Sequence, residues 1–242
     1  MRIALISDIH ANEVALRAVV DDIKRVGVDQ IICLGDVATL GPRPLAVLQM
    51  LRDLRCQCIL GNHDEFLYNP GLIHAYTEAA VIVDAVDWCR AALSTQDLDL
   101  LRAFRPSLDI SLDADVKILL FHGSPRSHME DLLATTPPLA LDEFLSGHSA
   151  TVMAGGHTHI QMLRQHRGTL LVNPGSVGLP FKEYVAGRPP RVLAHAEYAT
   201  IEAVRGAVSV ELRRVHLDKG ALRDAVAASD FPLRGMLLQE YA

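Results

Sequence analysis

Five apolar runs in this chain each give way to a short polar stretch carrying residues able to bind a divalent metal. The runs are Ile3-Ala4-Leu5-Ile6, Ile31-Ile32-Cys33-Leu34, Cys58-Ile59-Leu60, Ile118-Leu119-Leu120-Phe121 and Val152-Met153-Ala154. The stretches after them supply Asp8 and His10 in S-D-I-H, Asp36 in L-G-D, Asn62 in G-N-H-D, His122 in F-H-G, and His157 and His159 in G-G-H-T-H. Short β-branched and aliphatic runs bounded by turn residues read as buried strands. Residues at the carboxyl ends of parallel strands meet in one crevice, where open α/β sheets place their sites. One polar residue after a strand is ordinary turn chemistry. Its repetition with ligand-type side chains points to an α/β fold built around one centre.

The intervening segments fit that frame. Leu16, Val19, Val20 and Ile23 recur at helical spacing and predict a helix ending near Gly27. Val47, Leu48, Leu51 and Leu54 predict a second one after Gly41-Pro42. This βαβαβ order implies a parallel sheet with right-handed crossovers. Residues 66–106 contain no clear strand and read as a helical insert beside the site mouth, with helices around Ala79–Val86 and Leu98–Phe104, Ser94 or Thr95 capping the latter. Strands follow near 108–112 and up to His122, then a short helix over Leu139–Leu145. The last third is richer in strands, expected near 151–154, 160–165, 169–172, 192–199 and 208–217. Val208, Val210 and Leu212 alternate while Val215 and Leu217 continue in shifted phase, which predicts a bulge near Arg213-Arg214. Leu222, Ala225, Val226 and Ser229 predict a final helix. No repeat or linker divides the chain, so residues 1–242 read as one domain.

With 242 residues, half of them hydrophobic, the chain can bury a sizeable core. Net charge is −6 and no basic run interleaves with aromatics, so there is no signal for a nucleic-acid groove. No stretch approaches the ~20 apolar residues that span a bilayer. The first apolar run is too short for a signal peptide. Cys33, Cys56, Cys58 and Cys89 read as reduced thiols, since Cys56-Gln57-Cys58 lacks a second pair to complete a soft-metal site. A cytoplasmic protein is expected.

Asp8 and His10 are separated by one residue, and in an extended segment such side chains point the same way. His157 and His159 repeat the spacing, after a Gly155-Gly156 pair that permits close backbone approach. Asp36 has two carboxylate oxygens and can bridge two ions. Four imidazoles, two carboxylates and one amide suit Mn, Fe, Co, Ni or Zn better than Mg or Ca. Two such cations about 3.5–4 Å apart can clamp a phosphoryl group and make hydroxide near neutral pH.

D-x-H, G-D-x₅-G, G-N-H-D, H-G and G-H-T-H, in this order, resemble the calcineurin-like metallophosphoesterase superfamily. Asn173-Pro174-Gly175-Ser176-Val177-Gly178 further resembles its small bacterial and archaeal phosphodiesterase branch, and the likeness covers residues 1 to about 180. It implies a four-layer αββα sandwich of two mixed sheets. It also implies one ion on Asp8, His10, Asp36 and His159, another on Asp36, Asn62, His122 and His157, and His63 facing the scissile phosphate. Protein Ser/Thr phosphatases of this superfamily keep an Asp-Arg pair within the G-D motif and an Arg before G-N-H. Thr39-Leu40 and Leu60 stand there in this chain, which argues against phosphoprotein substrates.

The expected activity is therefore that of a two-metal phosphodiesterase using a metal-bridging hydroxide. The alternatives are a phosphomonoesterase or dinucleoside polyphosphate hydrolase, and, outside enzymes, a binding scaffold like the retromer subunit that resembles this family. The candidate catalytic residues are His63 and Asp64, Asp64 being also a common kind of helix cap. Arg126 is a candidate substrate contact on the loop after His122, with His128 nearby, while Arg43, Lys182 and Arg188 read as surface charges. Asn173–Ser176 reads as a tight turn closing the sheet edge. The expected partner is a small phosphoester, nucleotide-derived ones included, with homo-oligomer formation left open.

Overall fold

Alternating burial along each central strand sets the architecture. In the computed structural model, which describes residues 1–185 and 189–242, β1 (Arg2–Ile6) sends Ile3 and Leu5 to one side and Ala4 and Ile6 to the other. Ile3 and Leu5 join Ile32, Leu34, Ile118, Leu120, Val152, Val172, Ala199 and Ile201 in a core lying between two sheets. Ala4 and Ile6 pack with helical residues on the opposite face. A strand apolar on both faces is a strand covered on both faces.

The first sheet has the order β10-β9-β1-β2-β3, with β2 (Gln30–Cys33) and β3 (Gln57–Cys58) parallel to β1. Two long strands, β9 (His195–Val204) and β10 (Ala207–His216), continue it antiparallel on the other side. The second sheet has the order β4-β5-β6-β8-β7, built from β4 (Leu108–Asp113), β5 (Val116–Leu120), β6 (Val152–Ala154), β7 (Met162–His166) and β8 (Thr169–Asn173). Its β5, β6 and β8 are parallel to one another.

Helices complete the outer layers. On the first sheet lie α1 (Glu13–Val26), α2 (Pro44–Asp53) and α3 (Asn62–Tyr68), then the helices of the 66–106 segment: α4 (Ile73–Tyr76), α5 (Ala80–Ala91) and α6 (Thr95–Arg102). On the second sheet α7 (Pro138–Phe144) buries Leu141 against Leu119, Met153 and Leu171. The C-terminal α8 (Lys219–Ala227) and α9 (Arg234–Glu240) return to the first sheet's cover. The helical segment is continuous with the body: Ala85, Val86, Cys89 and Leu101 share one buried cluster with Leu16 and Val19 of α1, and the Trp88 indole donates to Asp230 at 2.9 Å.

Two expectations are corrected. No bulge interrupts β10, whose pairing with β9 keeps one register from Ala207 to His216. Val208, Val210 and Leu212 pack toward the inter-sheet core, whereas Val215 and then Leu217 pack under the helices. The apolar phase changes because the strand passes from one core to the other. The bulge lies instead in β4, between Ser111 and Asp113. The second correction is α9, which the short sequence Arg234–Glu240 did not announce. Arg43 and Lys182 are exposed as expected, and Arg188 lies outside the described residues.

Candidate metal centre

The loops leaving β1 and β2 are zipped together before any side chain acts. Asp8 N–H donates to the Gly35 carbonyl, His10 N–H to Asp36 and Ala11 N–H to Val37, at 2.9–3.0 Å. These two loops and the one after β6 turn inward with left-handed backbone at Asp8, His10, Asp36, His157 and His159, with φ between 46° and 68°. Non-glycine residues adopt this region rarely and at a cost of order 1–3 kcal/mol each, usually where function demands it. Close approach fixes the glycines as well. A Cβ on Gly61 would collide with Asp36 Oδ1, and one on Gly156 with Ser7 Oγ.

The seven sequence-predicted ligand residues meet in one buried cluster. Asp8, His10, Asp36 and His159 form one set and Asp36, His122 and His157 a second, the potential donor atoms of each set lying within 4.8 Å of one another. Asn62 Oδ1 is 3.1 Å from His122 Nε2. The Asp36 carboxylate belongs to both sets. Asp8, Asp36 and His122 have essentially no exposed surface.

Backbone carbonyls decide which ring nitrogens point inward. His122 Nδ1–H donates to the Leu34 carbonyl at 2.6 Å and His159 Nδ1–H to the Leu179 carbonyl at 2.7 Å, leaving each Nε2 turned toward the centre. His10 Nδ1 contacts Thr39 Oγ1 at 3.3 Å. His10 Nε2 then sits 3.0 Å from His159 Nε2, which lies 3.3 Å from Asp8 Oδ1. Facing lone pairs at such distances repel unless a proton or a cation lies between them. Asp8 Oδ1 and Asn62 Nδ2 are buried without a hydrogen-bond partner. These N and O donors fit borderline transition-metal ions.

Electrostatics follow from burial and crowding. Burial opposes ionisation of Asp36, but His122 beside it holds its carboxyl well below the usual range. Burial likewise opposes protonation of His122, yet the Asp36 carboxylate carries its pKa up to about 9. Burial takes His157 down to about 4 and lowers His10 and His63.

Around this centre several expectations meet different fates. His63 follows Asn62 in the first turn of α3, with its ring edge-on to His10 and Tyr76 at 5.2 and 5.5 Å and its Nδ1 unpartnered. Asp64 neither touches the centre nor orients His63. Its carboxylate accepts from the backbone N–H groups of Asp36, Val37 and Gly61 at 2.8–3.1 Å, so it splices α3 to the Asp36 loop. Burial and Asp36 raise its pKa to about 7. Arg126 is also corrected: Glu130 takes its guanidinium at 2.7 Å and the Phe144 ring lies beneath it at 5.0 Å. His128 pairs with Glu65 at 3.0 Å. Asn173–Ser176 is a brace rather than an edge turn. Asn173 donates to the Gly156 carbonyl at 2.6 Å, Ser176 Oγ to the Asp8 carbonyl at 2.7 Å, and Val177 N–H to Ser7 at 2.9 Å. Tyr76, Asp131, Phe181 and Tyr184 at the rim carried no sequence signal, because they sit in loops and short helices without periodicity.

A four-layer α/β sandwich holding a buried His/Asp centre at its strand ends defines a metallophosphoesterase. The comparisons agree: the calcineurin-like phosphoesterase superfamily domain matches residues 1–203, and the chain belongs to that superfamily. The chain is 32% identical over 196 residues to protein MJ0912 of Methanocaldococcus jannaschii, which covers 74% of this chain and 76% of that protein. The crystal structure of a metallophosphoesterase from Sphaerobacter thermophilus is similar over 100% of this chain and 98% of that one, with 25% identity and a TM-score of 0.75. Protein PH1004 of Pyrococcus horikoshii OT3 shares the fold at 18% identity over 98% and 96% of the two chains, with a TM-score of 0.82. No helix among the described residues is long and apolar enough to cross a membrane.

Proposed function

We propose that this chain is a two-metal phosphodiesterase acting on a small phosphoester in the cytoplasm. The observation that carries the reading is the Asp36 carboxylate, shared by two sets of converging donors. Asp8, His10, Asp36 and His159 would hold one divalent transition-metal ion, and Asp36, Asn62, His122 and His157 the other. The ions supply charge neutralisation of the phosphoryl oxygens and a hydroxide near neutral pH. His63, buried beside His10 and free at Nδ1, offers an N–H to the leaving oxygen as charge develops there.

Preference for a diester rests on four described positions around the centre, none of which offers a free cation. Thr39 is fully buried against His10, Leu40 and Leu60 are half-buried, and Arg126 is engaged by Glu130. A monoester dianion carries a second charge that arginines would have to meet, whereas a diester carries one. The complete donor set favours an enzyme over a scaffold of the same fold. The test is a panel of diesters, cyclic nucleotides, dinucleoside polyphosphates and monoesters, assayed with Mn, Ni, Fe and Zn. Bis-p-nitrophenyl phosphate should be hydrolysed and phosphoserine peptides should not; the reverse pattern overturns the reading. Metal analysis should find close to two equivalents in the wild type, with both weakened by Asp36→Asn.

A further inference from the structure

His157 differs from the two centre histidines that backbone carbonyls hold. His122 and His159 are each oriented by a backbone carbonyl, but nothing of that kind holds His157. Its Nε2 faces a side chain instead, Asp131 Oδ1 at 3.5 Å. Asp131 lies in the loop between β5 and α7, and its other oxygen accepts from the Tyr184 hydroxyl at 2.5 Å. The loop is pinned elsewhere too, by His128 on Glu65 at 3.0 Å and by Arg126 over the Phe144 ring at 5.0 Å. Asp131 is thus a carboxylate held at a fixed place, with one oxygen turned to a buried imidazole and the other tied down from the rim. The His157 side chain is only 7% exposed, so the ring has few other partners.

We propose that Asp131, itself held by Tyr184, is the positioning residue for His157: it accepts the Nε2 proton and so leaves the Nδ1 lone pair for the second donor set. An imidazole that donates from one nitrogen is a metal ligand only through the other, and an outer carboxylate both fixes that choice and raises the basicity of the ligating nitrogen. Such a device matters at His157 in particular, because the ring packs against His122 with centroids 5.2 Å apart and no backbone carbonyl selects which of its nitrogens carries the proton. Tyr184 matters because the Asp131 side chain is 42% exposed, and a carboxylate that swings into water orients nothing. Through His157 the second donor set is therefore wired to two loops of the rim, while in the first His159 is held by a backbone carbonyl and His10 by the Thr39 hydroxyl. This inference rests on the two-ion reading above and concerns only one of the two sites.

The test is metal binding, measured by calorimetric titration with Mn on metal-free protein, together with long-range ¹⁵N–¹H spectra of the histidine rings. Asp131→Ala should weaken one equivalent about 10- to 100-fold, the range typical of such outer partners, and leave the other within about twofold. Asp131→Asn, whose amide oxygen still accepts from Nε2–H, should recover most of that loss. Tyr184→Phe should show a smaller loss confined to the same equivalent. In the spectra His157 should carry its proton on Nε2 in the wild type and lose that preference in Asp131→Ala. Equal loss at both equivalents, no loss at either, Asp131→Asn as damaging as Asp131→Ala, or a His157 proton on Nδ1 would each overturn the proposal. A wild type that never takes up more than one equivalent would instead overturn the two-ion reading.

Discussion

At the scale of single residues, His63 and His122 give opposite lessons about histidine. His63 completes neither donor set, so His63→Ala should keep both metals. It should lower turnover of alkyl or nucleoside diesters by about 10²–10⁴-fold and of nitrophenyl diesters distinctly less, because nitrophenolate leaves without a donor. Steady-state kinetics on both substrate types, with metal analysis, check this; equal losses would remove the donor role. For His122 the sign follows from its raised pKa of about 9. Without metal the ring is protonated at pH 7, and its Nε2 contacts Asn62 and Asp36 oxygens at 3.1 and 3.4 Å. A cation must displace that proton, so apparent affinity should rise about tenfold per pH unit from pH 7 and level off near 9. Titration in buffers of different ionisation enthalpy should show about one proton released at pH 7. These donor residues were legible in the sequence because each followed a strand. Asp64 was not, since an Asp after a turn looks the same whether it faces substrate or three backbone amides.

Elements were legible where periodicity was strong and obscure where one element served two environments. The α1 stripe of Leu16, Val19, Val20 and Ile23 is buried as its spacing predicts, with Asn12 as N-cap accepting from Ala15 N–H. Of the two caps the sequence offered for α6, Ser94 and Thr95, it is Ser94 that serves, in a reciprocal box with Asp97. Asp97 does more than cap: it also takes Arg52 of α2 at 2.8 Å, joining α2 to α6. Asp97→Ala should therefore cost about 1–2 kcal/mol in urea unfolding, with metal stoichiometry unchanged. A change within a few tenths of a kcal/mol would mean that the cap carries no net stability. The strand β10 misled for a physical reason. Alternation reports which core a residue faces, and a ten-residue strand crossing from one core to another changes phase without any defect in its ladder.

Across the whole molecule, the centre is the place where the two sheets are joined by chemistry rather than by packing alone. Asp8, His10, Asp36 and Asn62 follow strands of the first sheet, while His122, His157 and His159 follow strands of the second. The parallel order of the first three strands could be read from sequence, but the pairing of the later strands and the contact between sheets could not, because no local pattern encodes which edges and faces meet. Bound ions would tie the sheets together and stabilise only the folded chain. Saturation at a hundred times the dissociation constant should add about 2.7 kcal/mol per site, so Tm should climb steadily with Mn and fall on chelation. A Tm indifferent to both would show that the centre is not a metal site.

The left-handed turns at Asp8, His10, Asp36, His157 and His159 carry a consequence for heredity. Glycine would relieve the backbone at each of them but strand the buried groups that bond to Asp8, Asp36 and His159, so a lineage screened only for thermal endurance in chelator would gain little by the exchange. The same lineage screened in the presence of metal would hold them.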